Sequence, residues 1–396
     1  MSSNNTAAPL KNVVIVGLGL SGTHAFESLS KALPPTHRIV AVSPIPGYWP
    51  IAALRASVVP GFEHNTIAPL DHLLPAGSRH RILQGYSVSR LADNSIVLDK
   101  PHDEFGSEIS FDYLVLATGS SYPFPCRVPN DSTETSIVEQ FKHLQTAIAE
   151  SKSILVLGGG PVGIEFAGEV AEYYRTSSGD KKKEITLVHS GERLIQDEGF
   201  KPKFGHSLQK QLEGLGVRVV LNEKLQVGER KTGKLQGQDQ VFHYVNGQTV
   251  KADFLFVAFG NSPNTSFLPS TLLDPKTHRV LVKSTFETES NPRIYAIGDI
   301  SSTDEPKLYA NAKNHGAVVS QNIVDSIERE QKGGSSTGTT RAKKEYSPGQ
   351  PLMVVSVGSK GGAGQLFGWI VGAWPVSFIK SKSLFVPGFK QLYQVK

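Results

Sequence analysis

Apolar residues are gathered along the chain in short blocks rich in valine, isoleucine and leucine, and most of these blocks run directly into a glycine. Unbroken runs of that kind predict strands buried on both faces, as in a parallel sheet. Asn12–Val16, Arg38–Val42, Tyr113–Leu116, Ser153–Leu157, Ile185–His189, Phe254–Ala258 and Ile294–Ile297 all read this way. Between the first two, the pattern changes to that of a helix over Ser21–Leu33, which Pro34 and Pro35 end. Gly163–Tyr174 has the same character between the strands at 153 and 185. The chain therefore predicts two β-α-β units of about thirty residues, the second repeating the first in order and spacing.

The strand-to-helix turns carry the candidate chemistry. VVIVGLGLSG at 13–22 spaces Gly17, Gly19 and Gly22 as GxGxxG, and ILVLGGGPVGIE at 154–165 repeats the spacing with Gly158, Gly160 and Gly163. One glycine permits the tight turn, one lets backbone amides approach a pyrophosphate, and one allows helix and strand to pack closely. Leu18, Leu20 and Ser21 complete the first loop, at a helix N-terminus where unpaired N–H groups and the helix dipole favour negative charge. A lone GxGxxG is often only a packing turn. Two of them, each with a strand before and a helix after, predict two dinucleotide sites, for a flavin and a nicotinamide facing each other.

Such fingerprints usually carry an acid some twenty positions on, bonded to a ribose hydroxyl. Ser43 stands there in the first unit, and His189 with Ser190 in the second. A serine still hydrogen-bonds a ribose. With no carboxylate to repel a 2′-phosphate, and with His189 or Arg193 to attract one, NADPH is expected to serve as well as NADH. LVLATGS at 114–120 and IYAIGDI at 294–300 end two further strands in small-residue turns. The second sets Asp299 where a carboxylate accepts hydrogen bonds from ribityl hydroxyls, although an Asp after Gly is elsewhere a simple turn former.

Composition narrows the class. With 396 residues, 39% hydrophobic and 19% charged, the chain has room for two or three folded domains. A net charge of +5, with lysines in separate patches such as 181–183, gives no dense basic stripe, so no specific nucleic-acid partner is expected. Cys126 is the only cysteine, which excludes an intramolecular disulfide, CxxC redox chemistry and a multi-cysteine zinc site; no metal is expected. It and His24 read as packing residues, whereas His315 reads as opening a helix that approaches the flavin, a candidate proton donor. The polar start MSSNNTAAPLKN lacks the features of a secretory signal, and Ser2 occupies the position where N-myristoylation needs glycine. The expectation is an intracellular, cytoplasmic protein that is not secreted, with a peripheral seat on the mitochondrial outer membrane or on lipid droplets as the alternative.

The order GxGxxG, ATG, GGGxxGxE and GD resembles the flavoprotein reductases with two dinucleotide-binding domains. IAALRAS at 51–57, ATGSSYPFP at 117–125 and KSKSLFV at 380–386 narrow the resemblance to the ferroptosis suppressor family, the apoptosis-inducing-factor-like inducers of death, in its fungal form. It covers about residues 11 to 394. The fold implied is α/β, with two Rossmann-like domains and a C-terminal α+β segment. FAD takes 9–125 with 276–330, NAD(P)H takes 126–275, a flexible loop spans 331–344 and the final segment is 345–396. The family implies an FAD enzyme that oxidises NAD(P)H and reduces quinones.

Carried over by position, Gly17, Gly19, Gly22, Arg55, Thr118 with Gly119, and Asp299 hold FAD, with a backbone contact near Val88. Glu165 sits beside the nicotinamide and orients its carboxamide, where an acid in a first helical turn otherwise only complements the dipole. Hydride transfer then needs no side-chain nucleophile, only the stacking of two rings.

Residues 364–379, GQLFGWIVGAWPVSFI, are apolar yet too short and too broken by glycine and proline to span a bilayer, which takes about 20 residues. They read as a strand or hairpin closing the flavin domain. With Trp369, Trp374, Phe378 and flanking lysines they also read as an interfacial patch admitting a lipid quinone, whose entry Lys380 and Phe385 line. Two rival functions remain: a reductase for a small electron-carrier protein or a secondary metabolite, and a death effector or nucleic-acid binder with a structural flavin.

Overall fold

The computed structural model describes residues 9–175, 182–225, 228, 231–236, 240–332 and 342–394. Lys181 and residues 333–341 of the expected flexible loop lie outside these described residues. In chain order the main helices are α1 (Leu20–Ala32), α2 (Pro50–Ala56), α3 (Glu134–Glu150), α4 (Pro161–Tyr173), α5 (Pro202–Gly214), α6 (Tyr309–Gln331) and α7 (Val386–Leu392). The chain divides into two compact units. One runs up to Gly47, then takes Pro69–Ser121 and Ser262–Pro348; the other takes Tyr48–Ala68, Tyr122–Asn261 and the chain from Gly349 on. These bounds differ from the expected domains, and the last segment joins the second unit rather than standing apart. Tyr48–Ala68 leaves the first unit, and that unit resumes at Ser262, where Ser262–Pro263 pairs with Ser120–Ser121 at the end of the preceding stretch.

The first unit is built on five parallel strands in the order Ile294–Ala296, Tyr113–Leu116, Lys11–Val16, His37–Ser43 and Arg81–Gln84. Val13, Val14, Ile15, Leu114, Val115 and Leu116 are wholly buried, as strands covered on both faces require. The chain leaves Lys11–Val16 in one direction through α1 and returns to its other side at Tyr113–Leu116. That reversal of strand order opens a crevice at the carboxyl ends of the strands, the usual place for a ligand in such sheets. Helix α6 crosses α1 so closely that a Cβ on Gly316 would lie 2.9 Å from the Ala25 nitrogen. A three-stranded antiparallel sheet, Val88–Leu91, Ser95–His102 and Gly106–Ser110, adds Leu91, Ile96, Leu98 and Ile109 to the same apolar core.

The second unit repeats the plan. Arg218–Val220, Glu184–Val188, Ser153–Leu157 and Phe254–Val257 are parallel neighbours, with Gly233–Lys234 antiparallel at the edge. Helix α4 starts at Pro161, two positions before the sequence predicts. A proline there forfeits nothing, because the first amide of a helix has no intrahelical partner. Phe166 of α4 stacks on Phe256 of the sheet at 3.7 Å between ring centroids. The last segment forms an antiparallel meander, Met353–Val357, Gly361–Leu366 and Trp369–Val371. It packs on α4, where a Cβ on Gly168 would stand 2.9 Å from Val357 Cα. The hairpin expected to close the flavin domain thus belongs to the second unit. Among the described residues no helix is long and apolar enough to cross a membrane.

Candidate functional site

In the first unit three motifs distant in sequence meet at the ends of parallel strands. Gly17 turns with φ +97°, and a Cβ there would lie 2.6 Å from the Ala117 carbonyl oxygen. A Cβ on Gly22 would strike the Gly17 oxygen at 1.9 Å, and one on Gly298 would meet the Ser21 hydroxyl at 2.3 Å. The loop at 17–22, the turn at 117–119 and the turn at 298–299 are therefore fitted against one another through bare main chain. Gly19, which caps α1, faces open space, with no side-chain cap and no acid in the first turn. Amides of Leu20 and Ser21 at a helix start without a capping side chain fit an anionic diphosphate. Gly17, Leu18, Gly19 and Gly22 would shape the cradle that holds it.

The rest of the cradle is tied together by Asn264, which the sequence reading passed over. Thr118 Oγ1 donates to the Asn264 carbonyl at 2.8 Å, and Asn264 Nδ2 returns a bond of 2.8 Å to the Thr118 carbonyl. The Gly119 carbonyl accepts from the Asn264 amide at 2.9 Å. Nothing in the stretch NSPNTSF distinguishes this asparagine from an ordinary turn residue. Asp299 is half-buried; burial raises its carboxyl, against a hydrogen bond from Ser120 and the charges of Lys307 and Arg279. Burial first, then Arg279, lowers Lys307 to about 8. Ser43 is buried and donates to the Ile45 carbonyl at 2.9 Å, so its oxygen can still accept from a ribose. Val88 pairs with Leu98 in the antiparallel sheet.

His315 corrects an expectation. It lies in the second turn of α6 rather than opening the helix, 1% exposed, with both nitrogens engaged. Nδ1 accepts the Gly298 amide at 3.1 Å, so the proton sits on Nε2, 2.6 Å from Glu305 Oε1. Tyr346 donates to the other Glu305 oxygen at 2.6 Å. A ring enclosed in this way has no proton to offer a ligand, and it supports the Gly298–Asp299 turn instead.

The second unit repeats the phosphate loop. Gly158 has φ +114° and lies against Ala258, and a Cβ on Gly163 would meet the Gly158 oxygen at 2.0 Å. Gly160 faces open space at an α4 start that no side chain caps, which fits the diphosphate of a second dinucleotide. His189 packs its ring under the loop and accepts the Gly159 amide on Nδ1 at 3.2 Å. Its buried Nε2 has no partner among the described residues. Burial lowers its pKa, so the ring is neutral and carries its proton on Nε2. Arg193 Nη1 donates to the Ile195 carbonyl at 2.7 Å.

The residues singled out as catalytic come together here in part. Lys380 Nζ is 2.6 Å from Glu165 Oε1, with 12% and 9% of the two side chains exposed. The same oxygen accepts the Ser356 amide and hydroxyl, each at 2.9 Å, and Lys380 also donates to the Val354 carbonyl at 3.0 Å. Among the described residues no hydrogen bond reaches Glu165 Oε2, and one Lys380 N–H is uncommitted. Phe385 is half-buried in a left-handed turn, φ +56°. Trp369, Trp374 and Phe378 are 79%, 84% and 84% exposed nearby in sequence. Burial pushes the Cys126 thiol up to about 12, so it stays protonated, and His24 is a buried packing residue beside Tyr309. Arg55 lies in this second unit. Its guanidinium is held by Glu169 and by the carbonyls of Ser381 and Lys382.

Residues 11–316 match the family described as pyridine nucleotide-disulphide oxidoreductase. Among curated relatives, ferroptosis suppressor protein 1 of Taeniopygia guttata is 30% identical over 94% of this chain and 93% of its own length. Apoptosis-inducing factor homolog A of Dictyostelium discoideum is 27% identical over 96% of this chain and 91% of its own. Among solved structures, the sulfide:quinone oxidoreductase of Aquifex aeolicus superposes with a TM-score of 0.73 at 16% identity, covering 97% of this chain and 91% of that one.

Proposed function

This chain belongs to the pyridine nucleotide-disulphide oxidoreductase family, and within it to the ferroptosis suppressor and apoptosis-inducing-factor homologues; on that premise we propose that it reduces a quinone at the expense of NAD(P)H. It is an FAD-dependent oxidoreductase of two Rossmann-like units with NAD(P)H as co-substrate. When bound, nicotinamide supplies a hydride and flavin accepts it and passes electrons onward, chemistry that belongs to the cofactors. The chain's own residues hold, orient and protonate.

The observation that carries the quinone reading is the buried Glu165–Lys380 pair. Glu165 Oε2, unbonded among the described residues, is suited to receive the carboxamide N–H of a nicotinamide. The uncommitted N–H of Lys380 is suited to a quinone carbonyl, where an ammonium steadies the negative charge that reduction develops. The exposed tryptophans and Phe378 support a lipophilic acceptor and a peripheral contact with membrane, with Phe385 at the entry.

The test is an acceptor screen on the purified flavoprotein with NADH and NADPH, comparing quinones of increasing tail length with a small electron-carrier protein. Quinone kcat/KM is expected to rise with tail length and to fall by roughly a hundredfold in Lys380→Ala, the scale of losing one positioned donor. Turnover confined to protein carriers, or unchanged quinone kinetics in that variant, would overturn the proposal.

A further inference from the structure

We propose that Arg55 and Glu169 form a buried clamp that fixes the turn carrying Lys380, and that Arg55 serves this turn rather than FAD. The clamp bears on the reaction only if Glu165 and Lys380 serve it as proposed above.

Glu165 and Glu169 stand four residues apart on α4, so their side chains leave the same face of the helix one turn apart. The first takes the ammonium of Lys380. The second takes the guanidinium of Arg55, with Nε and Nη2 donating to its two oxygens at 2.9 and 2.7 Å. The two side chains are 7% and 5% exposed, and Phe62 lies over the guanidinium at 5.5 Å. The remaining donors of Arg55 turn to the backbone that follows Lys380, Nη2 to the Ser381 carbonyl at 2.7 Å and Nη1 to the Lys382 carbonyl at 3.2 Å.

Those carbonyls need a partner. Ser377–Ser381 is a π turn, a wide and rarely used winding whose last carbonyls have no regular helical acceptor role. Leu384 and Phe385 then adopt φ of +49° and +56°, a region unfavourable for large side chains that persists only where surroundings impose it. Trp49, at the entry to α2, supplies a further restraint by donating Nε1 to the Leu384 carbonyl at 2.9 Å. Three carbonyls spread over Ser381–Leu384 are thus gripped by α2 and the tryptophan that precedes it. Burial pushes the Glu169 carboxyl up while Arg55 pulls it down, so neither member is at ease without the other. A lysine could not replace Arg55, since only a planar fork reaches a carboxylate bidentately and two carbonyls at once.

The test compares the FAD-loaded wild-type protein with Arg55→Lys and with the double variant Arg55→Met/Glu169→Leu, which removes both charges and so avoids leaving one buried alone. Three quantities are read: FAD bound per chain, acetylation of Lys380 by an acetic anhydride pulse scored by peptide mass spectrometry against exposed Lys203, and the anaerobic rate at which a quinone reoxidises the reduced flavin. Expected are unchanged FAD content, Lys380 acetylation several-fold faster, and reoxidation by quinone slowed roughly tenfold or more through misplacement. Loss of FAD from Arg55→Lys would show that Arg55 holds the flavin, and unchanged Lys380 acetylation would show a pair that only stabilises the fold; either overturns the clamp. Full quinone turnover in Lys380→Ala would instead defeat the functional premise, while the acetylation result would still decide whether the clamp exists.

Discussion

A histidine at the end of a strand means different things according to where its proton sits. His189 accepts the Gly159 amide through Nδ1 and is kept neutral by burial, so a 2′-phosphate beside it would meet an N–H donor and no full positive charge. NADPH and NADH should then differ in kcat/KM by less than about a hundredfold, or about 2.7 kcal/mol. Placing the missing acid with His189→Asp should lower kcat/KM for NADPH at least about tenfold relative to NADH, or about 1.4 kcal/mol. Steady-state kinetics with both nucleotides check this, and equal losses for the two would remove His189 from the choice. The motif residues were legible because their chemistry is local: a glycine at position 17 or 158 announces a turn by itself. The contacts of Arg55, and the parts played by Asn264 and Glu305, were not legible, because each engages a partner fixed only by tertiary structure. Arg55 and Glu169 are 114 positions apart.

Among elements, the two strand–loop–helix turns are near copies, and substitutions in them should have separable effects. A methyl group on Gly22 or Gly163 would fall about 2 Å from a carbonyl oxygen of its own loop, a collision with backbone that no rotamer change relieves. Gly22→Ala should yield protein depleted of FAD, seen in the ratio of flavin to protein absorbance. Gly163→Ala should keep its flavin and show a raised KM for NAD(P)H. The support of the Gly298 turn has a pH signature as well. Burial works to raise the Glu305 carboxyl, but hydrogen bonds from His315 and Tyr346 outweigh it and hold the group below the ordinary carboxylate value. Its stabilising contribution is therefore present at neutral pH and lost as pH falls through the unfolded value toward the lower folded one. Glu305→Gln, lacking that contribution throughout, should show a shallower loss of thermal stability on acidification. Buried strands were read within a residue or so of their true bounds because apolar runs end at turns. The meander at 353–371 was only partly legible, since GGAGQLFG has no clean alternation, and a π turn has no sequence signature at all.

At the scale of the whole molecule, the bipartite α/β plan was visible in the repeated pattern, while the allocation of Tyr48–Ala68 and of the last segment to the second unit was not, because it depends on packing against α4. The exposed aromatics of that segment set a further expectation. Trp374→Ser with Phe378→Ser should cut liposome co-sedimentation at least about tenfold, as burial of a large apolar side chain is worth about 1.5–3 kcal/mol, with NADH-driven flavin reduction unaltered. Unchanged sedimentation would exclude these side chains from lipid contact.

The manner in which the chain alternates between its units also constrains synthesis. The polypeptide passes from one unit to the other at residues 47/48, 68/69, 121/122, 261/262 and 348/349. As it emerges from the ribosome, neither half can be finished early: the sheet of the first unit waits for the strand at Ile294–Ala296, and Glu165 waits for Lys380. A premature stop near residue 348 would release a product carrying both glycine loops and every position of the family match, yet with the acid at 165 stripped of its counter-ion and of the meander that covers it.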